Sequence, residues 1–261
     1  MDYKVDYHMH SYFSDGVLSP TDLVKRAKDL ELQEIAVTDH ETVAGVTEAQ
    51  IAGKALDINV ISGIEIEGEY APGVLLHILG YRFDIENAEL TELLEEFTVY
   101  RNERNAKLLA KLEELGYTLE MSDLLPHPKQ EYICRGVIAR VLVRKGYFET
   151  RREVFAKLFS KQELEDIKKR SIPVNRVIKV LLAAGATVVW AHPMKTKGIG
   201  KRGSEEFYAN IEKILVDLKK MGLKGIECYH TNHSEEESLE LVMLASKYHL
   251  HITNGSDYHG E

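Results

Sequence analysis

A chain of 261 residues, 44% hydrophobic and 29% charged, has room for one α/β barrel with insertions or for two smaller domains. No apolar run reaches the roughly 20 residues of a membrane span, and the acidic opening Met1-Asp2-Tyr3-Lys4-Val5-Asp6 lacks the basic start and apolar centre of a signal peptide, which points to a cytoplasmic protein. A formal net charge of −9 repels polyphosphate at long range, so long duplex nucleic acid is an unsuitable partner, while a small phosphorylated substrate needs a locally positive site built from divalent metals and basic side chains.

Short apolar, β-branched runs predict strands at Lys4–Tyr7, Glu34–Val37, Asn59–Ser62, Val74–Leu79, Ala186–Trp190, Lys224–Tyr229 and Leu250–Thr253. Helix-period segments lie between several of them, such as Ser19–Leu30, opened by Ser19-Pro20, and Phe207–Met221, closed by Gly222. Strand and helix in alternation argue for parallel strands in a barrel or open sheet. The middle differs: residues 86–182 carry almost no strand signal, but contain helical stretches such as Arg101–Leu115 before Gly116 and Arg135–Lys145 before Gly146. Residues 1–85 and 183–261 are each too poor in strands to close a barrel alone. Together they predict one barrel, with 86–182 as a helical cap beside its mouth. Cys134 and Cys228 are far apart, without a Cys-x-x-Cys spacing, and read as small buried apolar side chains outside any disulfide framework.

The placement of histidines and acids carries the chemistry. The first strand runs into His8-Met9-His10 and then Asp15; the second ends in Thr38-Asp39-His40; the third is followed by Glu65; the fourth contains His77. Later, Val188-Val189-Trp190-Ala191 delivers His192, and the last strand is followed by Ser256-Asp257-Tyr258-His259. In a parallel barrel the C-terminal strand ends share one face, where these side chains can meet. Alternation sends His8 and His10 to the same side, a two-histidine grip on a metal. A single His-x-His is weak evidence. Repetition at strand after strand is not, because His, Asp and Glu are rarely buried unless paired or metal-bound. Mixed imidazole and carboxylate ligands suit Zn, Mn or Fe, and a glutamate can bridge two ions.

The order His8-x-His10, Asp15, Thr38-Asp39-His40, Glu65, His77, Ala191-His192-Pro193 and Asp257-x-His259 resembles the PHP (polymerase and histidinol phosphatase) family across nearly the whole chain. Three features resemble its branch that hydrolyses nucleoside 3′,5′-bisphosphates and trims short RNA from the 5′ end. They are Thr38-Asp39-His40-Glu41-Thr42-Val43-Ala44-Gly45, the helical insertion, and Gly225-Ile226-Glu227-Cys228-Tyr229-His230. The resemblance implies a distorted, TIM-like (β/α)7 barrel and two or three divalent metal ions. By position, His8, His10, Glu65 and Asp257 would hold one ion; Glu65 would bridge to a second at His77 and His192; Asp15, His40 and His259 would hold the third. Such a cluster makes a metal-bound hydroxide available for attack on a phosphate ester, with no protein nucleophile.

The resemblance implies a substrate contact at Arg135, whose planar fork suits phosphate, and the strand-end loop Tyr229-His230-Thr231-Asn232-His233 offers one of its two histidines, with His233 the candidate. Arg101 and Arg104 read as solvated helix charges, and the basic stretch Lys195, Lys197, Lys201, Arg202 either as a solvated flexible loop or as one able to draw phosphate inward. Val137 stands where the branch often has a histidine, which bears on the substrate and not on the metals. The expected reaction is hydrolysis of a nucleotide or short-RNA phosphate ester. The alternatives are a histidinol-phosphate or cyclic-phosphate phosphoesterase, an amidohydrolase, and a non-enzymatic metal-binding PHP module.

Overall fold

In the computed structural model, which describes residues 4–127 and 129–260, seven strands form one sheet in chain order. They are β1 (Val5–Met9), β2 (Glu34–Val37), β3 (Asn59–Ala71), β4 (Val74–Tyr81), β5 (Thr187–Trp190), β6 (Gly225–His230) and β7 (His251–Gly255). The sheet curls until its ends meet. The His10 amide donates to the Tyr258 carbonyl at 2.9 Å, and Asn254 Nδ2 donates to the Val5 carbonyl at 2.9 Å, giving a nearly closed barrel. The acidic start Met1–Tyr3 lies outside the described residues.

Not all strands are parallel. β1, β2 and β3 pair in parallel, as do β5, β6 and β7, but β4 runs antiparallel to both neighbours. The cause is local: only Pro72 and Gly73 separate β3 from β4, with Gly73 at φ 78. A two-residue hairpin has no room for a crossover helix, so the chain must reverse. The hairpin also extends β3 well beyond Ser62, to Ala71. Glu65 therefore lies inside a strand, not after one. Alternation along β3 buries Ile64 and Ile66 in the main core and turns Glu65 and Glu67 to the opposite face, where Glu67 pairs in register with His77.

Helices cover the barrel. α1 (Pro20–Asp29) starts at Ser19, whose hydroxyl accepts from the Asp22 amide, and buries Leu23, Val24 and Ala27 with α2 (Val46–Leu56) against β1 and β2. α3 (Ala88–Glu114) opens the middle segment. It is followed by α4 (Met121–Leu124), α5 (Arg135–Arg144), α6 (Arg151–Glu153) running into a π-helical turn at Val154–Phe159, α7 (Gln162–Glu165) and α8 (Val174–Ala183). α9 (Glu205–Met221) and α10 (Glu235–Lys247) close the wall over β5 to β7.

The middle segment 86–182 has two characters. Leu90, Leu93 and Phe97 of α3 and Val174, Val177, Ile178 and Leu181 of α8 belong to the barrel's main core. Leu108 and Leu112 of α3 instead join Ile133, Ile138, Leu142, Leu158 and Leu164 in a separate core. α3 is about 40 Å long at 1.5 Å per residue, enough to join the barrel's main core at one end and the separate core at the other. No helix among the described residues is long and apolar enough to cross a membrane, and both cysteines are free.

Candidate metal centre

Five imidazoles surround one carboxylate. Glu65 Oε2 lies 3.1 Å from His8 Nε2, 3.3 Å from His10 Nε2 and 3.1 Å from His40 Nδ1. Its Oε1 lies 2.7 Å from His77 Nδ1 and 2.9 Å from His192 Nε2. Asp257 Oδ1 approaches the same His8 and His10 nitrogens at 3.5 and 3.3 Å. Asp15 Oδ1 forms the other flank, 3.1 Å from His259 Nε2, 3.7 Å from His40 Nε2 and 3.9 Å from His10 Nδ1. All nine residues singled out in the sequence thus meet at the mouth of the barrel. The antiparallel β4 does not spoil this, because His77 reaches the site from mid-strand, facing Glu65 and Glu67 across the hairpin.

Other residues set the imidazole orientations. His8 Nδ1 lies 2.9 Å from Glu227 Oε1, so the ring donates there and turns the Nε2 lone pair toward Glu65 and Asp257. The second Glu227 oxygen accepts the His192 amide at 2.7 Å, fixing a residue with φ 28. His259 Nδ1 lies 2.8 Å from the Asp257 carbonyl, which likewise leaves Nε2 to face Asp15. His230 Nδ1 accepts the Asn232 amide at 2.9 Å, so its Nε2 proton points to Asp257 Oδ2, 3.3 Å away. Asp39 accepts from the Ser11 amide and hydroxyl and from the Ser14 hydroxyl, pinning the loop that carries Asp15. The sequence reading missed Glu227 as part of the site, and offered His230 only as the other loop histidine beside His233, not as a partner of Asp257. Glu227 had a signal: an acid between Ile226 and Cys228 in a strand buried throughout its first four residues. Gly255 completes the packing, since a Cβ there would lie 2.3 Å from both Glu227 Oε1 and the His8 Cβ.

The donor set fits divalent metals. Four groups of three or four His, Asp and Glu offer ligand atoms all within 4.8 Å of one another: His10-Asp15-His40-His259, His8-His10-Glu65-Asp257, His40-Glu65-His77 and His8-Glu227-His230. His8 Nε2, both His10 ring nitrogens, Asp15 Oδ1 and Glu65 Oε2 are buried without a hydrogen-bond partner. Buried polar atoms are rarely left so, and cations held between these residues would satisfy them. Protonation shows the same demand for positive charge. Burial opposes an imidazolium at His77, yet Glu65 and Glu67 lift its pKa to about 10, and Asp257 and Glu65 lift that of His10 to about 9. At His40 and His192 burial wins, holding them down at about 3 and about 4. Neutral imidazoles beside ionised carboxylates are the ligand forms that Zn, Mn and Fe take.

A cleft of about 720 Å³ opens from His77 between the barrel and the middle segment, lined by Arg101, Arg104, Arg135, Lys168 and Lys169. Arg135 Nη2 donates to the carbonyls of Leu164 and Ile167, while its Nε is buried without a partner. Arg101 departs from the expected solvated charge: it is 4% exposed, because α3 turns it inward to donate to Glu41 Oε2 at 2.8 Å. Lys169 contacts the other Glu41 oxygen and Glu67 Oε1 at 3.3 Å. His233 sits behind His230, its ring 5.1 Å from that ring and its Nδ1 donating to the Cys228 carbonyl, away from the lining of this cleft. In the basic stretch, Lys195 bonds Asp257 Oδ2 at 2.8 Å, whereas Arg202 is taken up by Glu237 and the Asn232 carbonyl.

The model of the PHP domain matches residues 6–167. The chain belongs to the PHP family. Among curated relatives, a 5′-3′ exoribonuclease of Haemophilus influenzae is 31% identical over 256 residues, covering 98% of this chain and 90% of that one. A phosphoribosyl 1,2-cyclic phosphate 1,2-diphosphodiesterase of Eggerthella lenta is 27% identical, covering 98% and 94%. A 3′,5′-nucleoside bisphosphate phosphatase of Chromobacterium violaceum is 27% identical, covering 98% and 87%. The crystal structure described as a metal-dependent phosphoesterase of Bifidobacterium adolescentis superimposes with a TM-score of 0.85 at 29% identity, over 98% of this chain and 87% of that one. The barrel is thus the distorted TIM-like barrel of PHP phosphoesterases, and the protein is a metal-dependent phosphoesterase.

Proposed function

We propose that the protein hydrolyses a phosphate ester of a nucleotide carrying more than one phosphate group, a nucleoside 3′,5′-bisphosphate or a short 5′-phosphorylated oligoribonucleotide. The observation that carries this reading is the 720 Å³ cleft with five cationic side chains beside His77. Such a volume suits a nucleotide. A monoester with one phosphate would occupy the metals alone, whereas a second phosphate gives a partner to Arg104, Arg135 and Lys168, the lining cations not taken up by Glu41 and Glu67, on a chain whose net charge of −9 otherwise repels it. The exoribonuclease and bisphosphate phosphatase relatives support the same class.

His8, His10, Glu65 and Asp257 would hold one ion; Glu65 would bridge to a second at His77 and His192; Asp15, His40 and His259 would hold a third. Two or three ions of Mn, Zn or Fe match these ligands. When bound, they supply a hydroxide at neutral pH and offset the charge that moves onto the leaving oxygen. Arg135 and Arg104 bind phosphate oxygens from the cap side, and Lys195 adds positive charge from the β5 side. No protein nucleophile is required, and the nearest thiol is unsuited: burial and the neighbouring Asp15 push Cys134 up to about 12.

A hydrolysis screen with Mn²⁺, reading released phosphate and released nucleotide, across nucleoside bisphosphates, short 5′-phosphorylated RNA, sugar phosphates, cyclic phosphates and histidinol phosphate tests this. The highest kcat/KM is expected on the bisphosphate or RNA. Turnover confined to cyclic phosphates, as the Eggerthella relative's name would suggest, or to histidinol phosphate, would overturn the nucleotide reading.

A further inference from the structure

Asp15 is the only carboxylate in the His10-Asp15-His40-His259 group, and the middle segment holds it from two sides. While Oδ1 faces the imidazoles, Oδ2 lies 3.6 Å from Cys134 Sγ, and the Asp15 carbonyl accepts from Arg140 Nη2 at 2.6 Å. Both partners come from α5 and the residue that caps it. The residues around Asp15 are instead tied to the barrel: the Ser14 and Gly16 amides donate to the Ser11 carbonyl, the Ser11 and Ser14 hydroxyls to Asp39, and the Val17 amide to the His259 carbonyl. The barrel therefore shapes the loop, and α5 sets the aspartate. No comparable grip from α5 reaches Glu65 or Asp257 among the described residues, whose partners all lie on the barrel strands and their loops.

We infer that Arg140 is a positioning residue for metal binding: by gripping the Asp15 carbonyl it aims the carboxylate at the cation position shared with His40 and His259. Filling that one position then depends on the cap being docked, while the positions around Glu65 do not. The inference rests on the metal-centre reading but not on the substrate. A guanidinium hydrogen bond to a main-chain carbonyl fixes the residue's backbone, and losing an outer partner of a metal ligand typically weakens binding 10- to 100-fold.

The test uses the full chain and Mn²⁺ alone, with free Mn²⁺ followed by electron paramagnetic resonance during titration. Wild-type protein is expected to show a class of site that Arg140→Ala weakens by about 10- to 100-fold while the tighter class keeps its affinity. Arg140→Lys should recover part of the loss, because an ammonium can still donate to the carbonyl. Cys134→Ala, which removes the contact to Oδ2 without touching Arg140, should weaken the same class more mildly and stands in if Arg140→Ala does not fold, as judged by circular dichroism. Equal weakening of every class, unchanged isotherms in the variants, or a wild-type isotherm with no separable class would overturn the inference. A wrong substrate assignment would leave these isotherms unchanged, so the two failures are distinguishable.

Discussion

Glu227 Oε1 and His8 Nδ1 lie 2.9 Å apart across 219 positions of sequence, both completely buried. That contact decides the tautomer of the first histidine in the site. With its proton on Nδ1, His8 presents a lone pair at Nε2 to Glu65 and Asp257, the form a metal needs. Glu227→Ala should therefore weaken Mn²⁺ binding by about 10- to 100-fold. Glu227→Gln should cost less, because an amide oxygen still accepts from Nδ1. Isothermal titration of both variants checks this, and an alanine variant with wild-type affinity would leave His8 oriented by something else.

Glu65 should be the least replaceable member of the cluster. Each of its oxygens serves a different set of imidazoles, Oε2 for His8, His10 and His40 and Oε1 for His77 and His192. Glu65→Gln keeps the shape but removes the charge that two cations would share. Phosphate release should fall more than about 100-fold, beyond the loss from an outer partner, with circular dichroism unchanged. Metal-analysed Gln protein turning over near the wild-type rate would contradict the bridging role.

Much of this site was legible because its residues fall in short chain-local phrases at strand ends: His8-Met9-His10, Asp39-His40, Ala191-His192 and Asp257-Tyr258-His259. Seven strands and the helical middle were legible from periodicity. What periodicity cannot show is direction. β4 turned antiparallel on the strength of Pro72-Gly73 alone, and that reversal moved Glu65 from a strand end into the middle of β3. Long-range pairing was equally hidden. Arg101 on α3 looks like any solvated helix charge until the fold brings Glu41 beneath it, 60 positions away, and Glu227 looks like a strand acid until His8 arrives opposite.

That Arg101 pair predicts a stability effect. Glu41 holds φ 54, an uncommon conformation for a non-glycine residue, and its buried carboxylate is neutralised by Arg101 and Lys169, both from the middle segment. Removing one partner of a buried pair strands the other charge, at about 3 to 5 kcal/mol. Since Lys169 remains, Arg101→Ala should fall at or below the lower end, about 3 kcal/mol, measured by urea unfolding of metal-loaded protein. A double variant, Arg101→Ala with Glu41→Gln, should be less damaged than the sum of the singles, because no charge is left behind.

Metal removal should destabilise the whole fold, since the cluster joins β1, β3, β4 and the loops after β2, β5 and β7. Mn²⁺ at about 100 times its dissociation constant adds about 2.7 kcal/mol for each site that the unfolded chain lacks. For a chain of this length that corresponds to a melting-temperature rise of about 5 to 10 °C per site. Differential scanning calorimetry with and without a chelator measures it, and superimposable melts would mean that these residues bind no Mn²⁺.

Replacing Arg135 tests how the substrate is read. Its Nη2 is committed to the Leu164 and Ile167 carbonyls, which fixes the side chain in the cleft wall, while its buried Nε has no partner. An arginine so anchored is preorganised to meet an anion with its remaining donors. A charged hydrogen bond to phosphate is worth about 1.5 to 3 kcal/mol, so Arg135→Ala should lower kcat/KM by about one to two orders of magnitude on the preferred nucleotide. Arg135→Lys should fall in between, because it keeps charge but loses the fork. Mn²⁺ content should match wild type, since Arg135 touches none of the cluster residues. The comparison with p-nitrophenyl phosphate assigns the partner. If Arg135 holds the reacting phosphate, hydrolysis of this simple monoester falls as well; if it holds the second phosphate of a bisphosphate, the monoester is hardly affected. The Arg135 guanidinium lines the cleft and is held by the Leu164 and Ile167 carbonyls and not by a cluster residue, so the second outcome is expected, and equal losses on both substrates would place the arginine at the reacting group instead.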